Sequence, residues 1–155
     1  MEHKLIVCKV SGEEIIAVTN ISKRAFESDR KPDCDDVSGP PNYDSITWHA
    51  KMAAKNVLYA IKEENQIVGG FLVFKDYRNS SKMYLGRIFI DPDYHRRGYG
   101  RQAMTMIEGM FPTIKIWKLE TPLWNERTNA FYRNIGYVEI SRDAESVYYE
   151  KKIGD

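Results

Sequence analysis

The sequence has little cysteine, no long apolar run and no excess of either charge. Cys8 and Cys34 lack the CxxC spacing of zinc and redox sites, so they predict neither a disulfide framework nor a metal site. The longest apolar run, Val68 to Phe74, is far shorter than the roughly 20 residues of a membrane-spanning helix. A net charge of +1 argues against nucleic-acid or membrane partners, so any anion site must be local.

What is present is the composition of an ordinary globular domain. Hydrophobic residues make up 43% of the 155 residues and charged residues 29%, a balance typical of folded soluble chains. A chain of this length usually forms one domain, and we expect residues 1–155 to do so. The N-terminal sequence MEHKLIVCKV has too short an apolar core for a secretory signal, which favours a cytoplasmic location.

The hydrophobic pattern predicts strands that alternate with helices. Strands are predicted at 4–10, 57–62, 67–75, 82–90, 113–120, 137–141 and 146–152, and helices at 11–29, 45–55, 101–111 and 125–135. Ser11 and Glu14 have the spacing of a capping box. This order predicts the α/β (α+β) class, with a mixed, largely antiparallel sheet of about seven strands flanked by four helices. The Pro-, Gly- and Asp-rich segment 30–44 is a loop long enough to suggest a function.

The stretch IDPDYHRRGYGRQAM, residues 90–104, predicts an anion site. A strand, a proline turn and a helix that begins near Gly98 place main-chain N–H groups at an exposed helix N-terminus. Gly98 and Gly100 permit close approach or a positive φ, while Arg96, Arg97 and Arg101 add charge that suits phosphate. The alternative is a tight turn with solvated arginines. Neither standard phosphate loop fits, because there is no GxxxxGK and no third glycine to complete GxGxxG.

The longer stretch RIFIDPDYHRRGYGRQAM resembles the acyl-CoA binding motif of the GNAT superfamily of N-acyltransferases. It has the apolar strand, the proline turn and both glycines, but His95 stands where the family usually has Gln or Arg. A second stretch, NERTNAFYRNIGYVEI, resembles the other family signature at Asn125, Ala130, Phe131, Tyr132, Gly136 and Tyr137. Two motifs in the family's order, with a matching order of elements, are much more specific than either motif alone.

The resemblance implies acetyl-CoA as the cofactor and no metal. The strand 83–90 would diverge from the strand 114–120, leaving backbone groups of Phe89 and Ile90 free for the pantetheine arm, to which Asn125 would also bond. The pyrophosphate would lie on the N-terminus of the following helix, on the segment formed by His95, Arg96, Arg97, Gly98, Tyr99, Gly100 and Arg101.

The resemblance also implies catalytic residues. Tyr132 would protonate the departing thiolate as general acid, although an aromatic side chain on the core face of a helix is the alternative. The usual glutamate position on the fourth strand holds Tyr84, a poor base near neutral pH. Glu120, at the end of the fifth strand, is the substitute base or else a solvated charge. His49 is a further candidate, or a surface or capping histidine.

The features that bear on the acceptor are acidic and aromatic. Asp33, Asp35, Asp36 and Asp44, with Tyr43, Trp48, Trp117 and Trp124, would suit a small, cationic amine. The alternative is that the acids are solvated and the aromatics fill the core.

Three functions follow from this interpretation. The first is an N-acetyltransferase that transfers acetyl directly to a primary amine, and the second is a non-catalytic acyl-CoA sensor of the same fold. The third, a nucleotide or nucleic-acid binder, is disfavoured by the charge. The last strand, SVYYEKK, could pair across a homodimer, or Lys151 and Lys152 could protect it as an edge.

Overall fold

The computed structural model describes residues 4–29 and 39–154. Its strands are β1 (Leu5–Lys9), β2 (Leu58–Glu63), β3 (Gln66–Lys75), β4 (Lys82–Ile90), β5 (Ile116–Pro122), β6 (Val138–Arg142) and β7 (Ser146–Lys152). Its α-helices are α1 (Ile15–Ser28), α2 (Ile46–Ala54), α3 (Tyr99–Met110) and α4 (Glu126–Asn134). The seven strands and four helices predicted from the sequence are confirmed, each within a few residues of its predicted bounds.

All seven strands form one sheet, in the order β1-β2-β3-β4-β5-β7-β6. Neighbouring strands are antiparallel except β4 and β5, which are parallel. A parallel pair needs a crossover connection, and α3 supplies it. The mixed, largely antiparallel sheet is therefore as predicted, and its parallel pair lies near the middle.

Each face of the sheet buries a separate hydrophobic core. Val18, Ile21 and Ala25 of α1 and Met52 of α2 pack with Leu58, Leu72 and Phe89 on one face. Tyr99, Ala103, Met104 and Ile107 of α3 and Tyr132 of α4 pack with residues such as Trp117, Leu119 and Tyr149 on the other. Alternate residues of each strand serve alternate faces. We call these the α1/α2 face and the α3/α4 face.

Local signals define where the helices begin. The carboxylate of Glu14 accepts a hydrogen bond from the main-chain N–H of Ser11 at 3.0 Å, in a short 3-10 turn that precedes α1. The hydroxyl of Ser45 accepts one from the N–H of Trp48 at 3.0 Å and caps α2. Both contacts satisfy donors or acceptors that a helix end would otherwise leave unpaired.

A bulge in β4 lies where the two parallel strands part. The register of β3 against β4 skips Gly86, so that residue has no cross-strand partner in β3. A Cβ atom at this position would lie 2.4 Å from the Phe74 ring, so the close approach requires glycine. Pairing with β5 ends two residues earlier, at Tyr84. Because a bulge bends its strand, it helps β4 to turn away from β5.

The expectation that the last strand lies at an edge is wrong. Strand β7 lies between β5 and β6 and pairs with both, whereas β1 and β6 form the edges of the described sheet. Lys151 and Lys152 therefore do not protect an edge. The hairpin β6-β7 joins the sheet through its second strand, β7, which pairs with β5 along the whole length of β5.

Two kinds of feature are missing from residues 4–29 and 39–154. None of the helices there has the length and apolar character to cross a membrane. Nor do three or more His, Cys, Asp or Glu side chains within those ranges converge in a way that could hold a metal ion.

Candidate active site

A gap opens between β4 and β5. The two strands pair at only three positions, the last of which joins Tyr84 to Lys118. Both then continue, β4 to Ile90 and β5 to Pro122, without pairing to each other in the part of the chain that the structure describes. Main-chain groups of β4 that face this gap have no strand partner, so an extended ligand can bind them as an additional strand would.

Alternation along β4 decides which residues face the gap. The N–H of Asp91 donates to β3 at 2.7 Å, and the carbonyl of Phe89 lies beside β3 as well. Ile88 and Ile90 therefore direct their backbone groups to the gap. The Ile90 carbonyl accepts a hydrogen bond from His95 Nε2 at 2.9 Å. The cofactor contacts expected of Phe89 and Ile90 stay predictions, and Ile88 is a residue that the sequence pattern did not single out.

A buried carboxylate organises the turn that follows β4. The side chain of Asp91 accepts a hydrogen bond from the N–H of Asp93 at 3.0 Å, at the start of a 3-10 turn, Pro92–Tyr94. Arg24 of α1 donates two hydrogen bonds to the same carboxylate, at 2.9 and 2.6 Å. Bidentate pairs of this kind fix orientation as well as position. Helix α1 thereby holds the start of the turn that leads to α3.

The N-terminus of α3 has the main-chain geometry of an anion site. Arg96 has φ = 65° and Gly98 has φ = 75°, both in the left-handed region. The main-chain N–H groups of Arg97, Gly98, Gly100 and Arg101 donate to no acceptor among the described residues. Left-handed residues in a turn gather successive N–H groups on one side, and the helix dipole adds partial positive charge. The arrangement fits the pyrophosphate of acetyl-CoA.

The side chains of this turn divide between solvent and core. The cationic and imidazole side chains, His95, Arg96, Arg97 and Arg101, are exposed. Tyr99 is only 2% exposed, and its phenol donates to the Glu63 carboxylate. A contribution of Tyr99 to phosphate binding would therefore come from its main chain.

A cavity of about 420 Å³ lies at the gap. Tyr84, Gly86, Lys118, Glu120 and Tyr148 are among the residues that line it. Glu120 is exposed and lies opposite Tyr148 in the β5-β7 register. Because its neighbour Leu119 packs on the α3/α4 face, Glu120 points to the other face. The base predicted from the sequence therefore lies beside the cavity.

Tyr132 lies across the sheet from Glu120. It is 7% exposed and packs in the core of the α3/α4 face, with its ring centroid 5.8 Å from that of Tyr137 and 6.2 Å from that of Tyr149. Tyr149 also lines the cavity. Burial raises the pKa of Tyr132 to about 12, and its hydroxyl has no hydrogen-bond partner within the described ranges. The phenol therefore stays protonated at neutral pH.

Asn125 has both ends of its amide engaged. Its Oδ1 accepts from the N–H of Thr128 at 3.1 Å and caps α4, and its Nδ2 donates to Asp29 at 3.4 Å. Arg127 forms an ion pair with the same Asp29 carboxylate. The side chain is only 7% exposed. A hydrogen bond from Asn125 to pantetheine stays a prediction, and it would require this arrangement to change.

His49 lies inside the protein, away from the cavity. It is fully buried, so the interpretation as a surface histidine is wrong. Its Nδ1 donates to the Ser45 carbonyl at 2.7 Å, and burial lowers its pKa. Tyr84, in contrast, lines the cavity and is 39% exposed. Of Tyr84, Glu120 and His49, the three residues considered for the position of the general base, Tyr84 and Glu120 line the cavity.

Several aromatic residues that were expected to line the acceptor site make other contacts in the structure. Trp117 is 1% exposed and packs in the core of the α3/α4 face, so its predicted place in an acceptor wall is wrong. The guanidinium carbon of Arg87 lies 4.5 Å from the centroid of the Trp48 ring. The hydroxyl of Tyr43 donates to Glu27 at 2.7 Å. The protein's own cation therefore already covers the Trp48 ring.

Part of the predicted acidic loop lies outside the described residues. This applies to Cys34, Asp33, Asp35 and Asp36. Asp44 is described and exposed, and Trp124 is partly exposed between β5 and α4. A cationic preference based on these acids stays a prediction.

Comparison with known proteins identifies a family. Residues 13–137 match the sequence model of the acetyltransferase (GNAT) family. The uncharacterized protein YrkN of Bacillus subtilis (strain 168) is 31% identical over 103 residues, which are 66% of this chain and 54% of that protein. The chain thus spans about half the length of that curated relative.

Solved structures share the fold over their whole length. The PaiA N-acetyltransferase of Thermoplasma acidophilum, solved in complex with coenzyme A, superposes with a TM-score of 0.79 at 13% identity, over 97% of this chain and 99% of that one. The ribosomal-protein-S18-alanine N-acetyltransferase of Escherichia coli has a TM-score of 0.75 at 15% identity, over 98% and 96% of the two chains. At these identities the likeness shows the fold.

Proposed function

Because the chain belongs to the GNAT acetyltransferase family, we propose that it transfers the acetyl group of acetyl-CoA directly to a primary amine of a small acceptor. Acyl-CoA-dependent acetyl transfer is the activity of the family, and acetyl-CoA is the cofactor. The acceptor class, the direct mechanism and the residue roles below are the proposal. It treats residues 1–155 as one N-acetyltransferase domain that acts in the cytoplasm.

The observation that carries this proposal is the position of Glu120 beside the cavity where β4 and β5 part. An ammonium group cannot attack a thioester until it loses a proton. Glu120 is exposed and lies on the α1/α2 face of the sheet. It receives this proton directly or through a water molecule.

The proton donor is Tyr132. Its hydroxyl has no internal partner among residues 4–29 and 39–154, and burial raises its pKa to about 12, so it holds its proton until a thiolate departs. Tyr132 and Glu120 lie on opposite faces of the sheet. The base therefore acts where the amine arrives and the acid acts where the leaving group departs.

The cofactor would be held by main-chain groups of two elements. Backbone groups of Ile88 and Ile90 would bind the pantetheine arm in the gap, and the N–H groups from Arg96 to Arg101 would bind the pyrophosphate. Acetyl-CoA supplies the acetyl group as an activated thioester. The exposed arginines of the turn add charge that favours the phosphates.

A CoA-release assay with a panel of primary amines tests the proposal, together with calorimetric titration of acetyl-CoA alone. We expect acetyl-CoA to bind and at least one class of amine to release CoA. Binding without release across the panel would favour the acyl-CoA sensor of the same fold. Absence of binding would contradict the assignment of the α3 turn.

A further inference from the structure

A cation without a carboxylate partner among the described residues lies on the face of the sheet that carries Glu120. Arg87 follows the bulged Gly86 on β4, and its cross-strand partner, Leu72, packs in the core of the α1/α2 face. The Arg87 side chain therefore shares a face with Glu120. Its Nη2 donates to the Pro41 carbonyl at 3.1 Å. Its buried Nη1 donates to no acceptor in the described parts of the chain, and no described Asp or Glu forms an ion pair with it.

Partial burial of an unpaired cation costs free energy of folding when no ligand is bound. A cation removed from water is normally offset by an ion pair or by a full set of hydrogen bonds. Burial alone lowers the pKa of Arg87 to about 10. The guanidinium is still charged at neutral pH, and no carboxylate of residues 4–29 and 39–154 forms an ion pair with it.

The imidazole of His49, which interacts electrostatically with Arg87, cannot supply a counter-charge. His49 is buried, and its Nε2 also lacks a hydrogen-bond partner among the residues described. Its Nδ1 donates to the Ser45 carbonyl, which leaves Nε2 as a neutral acceptor. Burial lowers the pKa of His49, and the charge of Arg87 lowers it further. Arg87 therefore offers a positive charge and a polar atom, Nη1, that the described residues leave unsatisfied.

We propose that Arg87 binds an anionic group of the acceptor, and that the acceptor is a small amine that also carries a carboxylate, such as an α-amino acid. The inference rests on the proposed acetyltransferase function and deepens it. Glu120 and Arg87 place opposite charges on one face, with the cavity wall at Gly86 next to Arg87 in the chain. The acceptor's ammonium lies by Glu120 and its carboxylate by Arg87. Glu120 and Gly86 line the cavity of about 420 Å³, and the acceptor would extend past Gly86 to reach Arg87.

The proposed acceptor carries an anionic group in addition to the cationic amine expected from the sequence. The Trp48 ring, expected to attract a cationic amine, already has Arg87 4.5 Å from its centroid. The Phe26 ring lies 6.0 Å from the same guanidinium. Both rings lie against the planar guanidinium, a group that can bind a carboxylate through two parallel hydrogen bonds.

The test uses α-amino acids and their amides as matched pairs in the CoA-release assay. We expect the acid of at least one pair to exceed its amide in kcat/KM by about tenfold or more, since a charge-assisted bidentate contact is lost in the amide. Arg87→Gln should abolish this preference, and Arg87→Lys, which keeps the charge without the fork, should restore part of it. Arg78→Gln, in the exposed turn after β3, is the matched control and should keep the preference.

The ratio of kcat/KM for the acid to kcat/KM for its amide distinguishes a loss of acceptor binding from a loss of folded protein. A variant that merely loses folded protein reduces both rates equally and leaves the ratio unchanged. Equal use of acids and amides by the wild type, or a preference that survives Arg87→Gln, overturns the inference. Acetylation of amines that carry no carboxylate, with no acid used, overturns it as well but leaves the proposed function intact.

A binding experiment tests the inference if no amino acid and no amide is acetylated. N-acetylated amino acids and their amides are titrated calorimetrically into protein saturated with CoA. Binding of the acids that is lost in Arg87→Gln supports the inference, and no binding of any acid overturns it. Failure of acetyl-CoA itself to bind removes the proposed function and this inference together.

Discussion

Arg24 of α1 holds Asp91 at the end of β4 through two hydrogen bonds, of 2.9 and 2.6 Å. The two residues are 67 positions apart, and Asp91 is 5% exposed whereas the Arg24 side chain is 48% exposed. The pair ties the helix that covers one face of the sheet to the turn that precedes the proposed pyrophosphate site. The geometry of that turn therefore depends on α1.

Removal of Arg24 should destabilise the protein and weaken cofactor binding. Arg24→Met leaves the buried Asp91 carboxylate without its guanidinium partner, at an expected cost of about 1–3 kcal/mol in the free energy of unfolding. Urea unfolding and calorimetric titration of acetyl-CoA measure the two effects. Lys23→Met, the same change at the adjacent exposed position of α1, is the control. Equal losses in the two variants would show that the Asp91 contact contributes nothing specific.

Replacement by alanine should lower the free energy of unfolding at Gly98 and raise it at Gly109. Gly98 has φ = 75° and open space around it, so Gly98→Ala incurs only backbone strain, of about 1 kcal/mol. Gly109 lies within α3, also with open space, and Gly109→Ala should stabilise by about 0.5–1 kcal/mol. Thermal unfolding gives the signs, and acetyl-CoA affinity should fall only in Gly98→Ala. Loss of affinity in both variants would argue against a local role of Gly98.

The sequence predicts features that depend on neighbouring residues. Proline and two glycines between a strand and a helix define the turn before α3, and the capping-box spacing of Ser11 and Glu14 marks a helix start. The choice of Glu120 follows from the predicted strand 113–120, which the structure extends to Pro122. Each of these rests on spacing within a few residues, where backbone geometry leaves few alternatives.

Features that depend on distant pairing could not be predicted in this way. The contact of Arg24 with Asp91 has no local signal, and the neutral environment of Arg87 depends on which rings α1 and α2 place around it. The hairpin pattern of the last two strands indicates one partner of β7, β6, and gives no indication of the second, β5. Trp117 alternates with Lys118, but this alternation does not show which face of the sheet the helices cover at Trp117.

Replacement of Glu120 should impair proton removal from the acceptor. Glu120→Gln keeps the size of the side chain but accepts no proton, so kcat/KM should fall by about 10²-fold near neutral pH. The deficit should shrink as pH rises towards the pKa of the acceptor amine, because the neutral amine then needs no base. Glu145→Gln, in the exposed turn before β7, should keep full activity. A deficit that does not change with pH would indicate a role in binding rather than proton transfer.

His49 should make the protein less stable in mild acid. Burial lowers its pKa below the ordinary value of about 6.5, so the unfolded chain binds a proton more readily than the folded chain. This contribution to stability is complete above about pH 6.5 and is lost as pH falls through the lower folded pKa, by at most about 1.4 kcal/mol per pH unit. Urea unfolding at a series of pH values should show a shallower slope for His49→Gln. An unchanged slope would assign the acid sensitivity to other groups.

Tyr132→Phe separates catalysis from cofactor binding. The change removes only the hydroxyl, which has no internal partner in the described structure, so the fold and the affinity for acetyl-CoA should persist. Turnover should fall by about 10²-fold or more, because the departing thiolate loses its proton donor. Since burial raises the pKa of Tyr132 to about 12, wild-type activity should not decline on the alkaline side below about pH 10.

Tyr137→Phe provides the matched control for this prediction. Tyr137 packs against Tyr132, with ring centroids 5.8 Å apart, and is 3% exposed. It therefore loses the same atom from the same buried cluster, but it has no proposed part in the reaction. CoA release and calorimetry should show full turnover in Tyr137→Phe and unchanged acetyl-CoA affinity in both variants. Equal turnover in the two variants would remove Tyr132 from the role of acid, and a lost affinity in Tyr132→Phe would make it a binding residue instead.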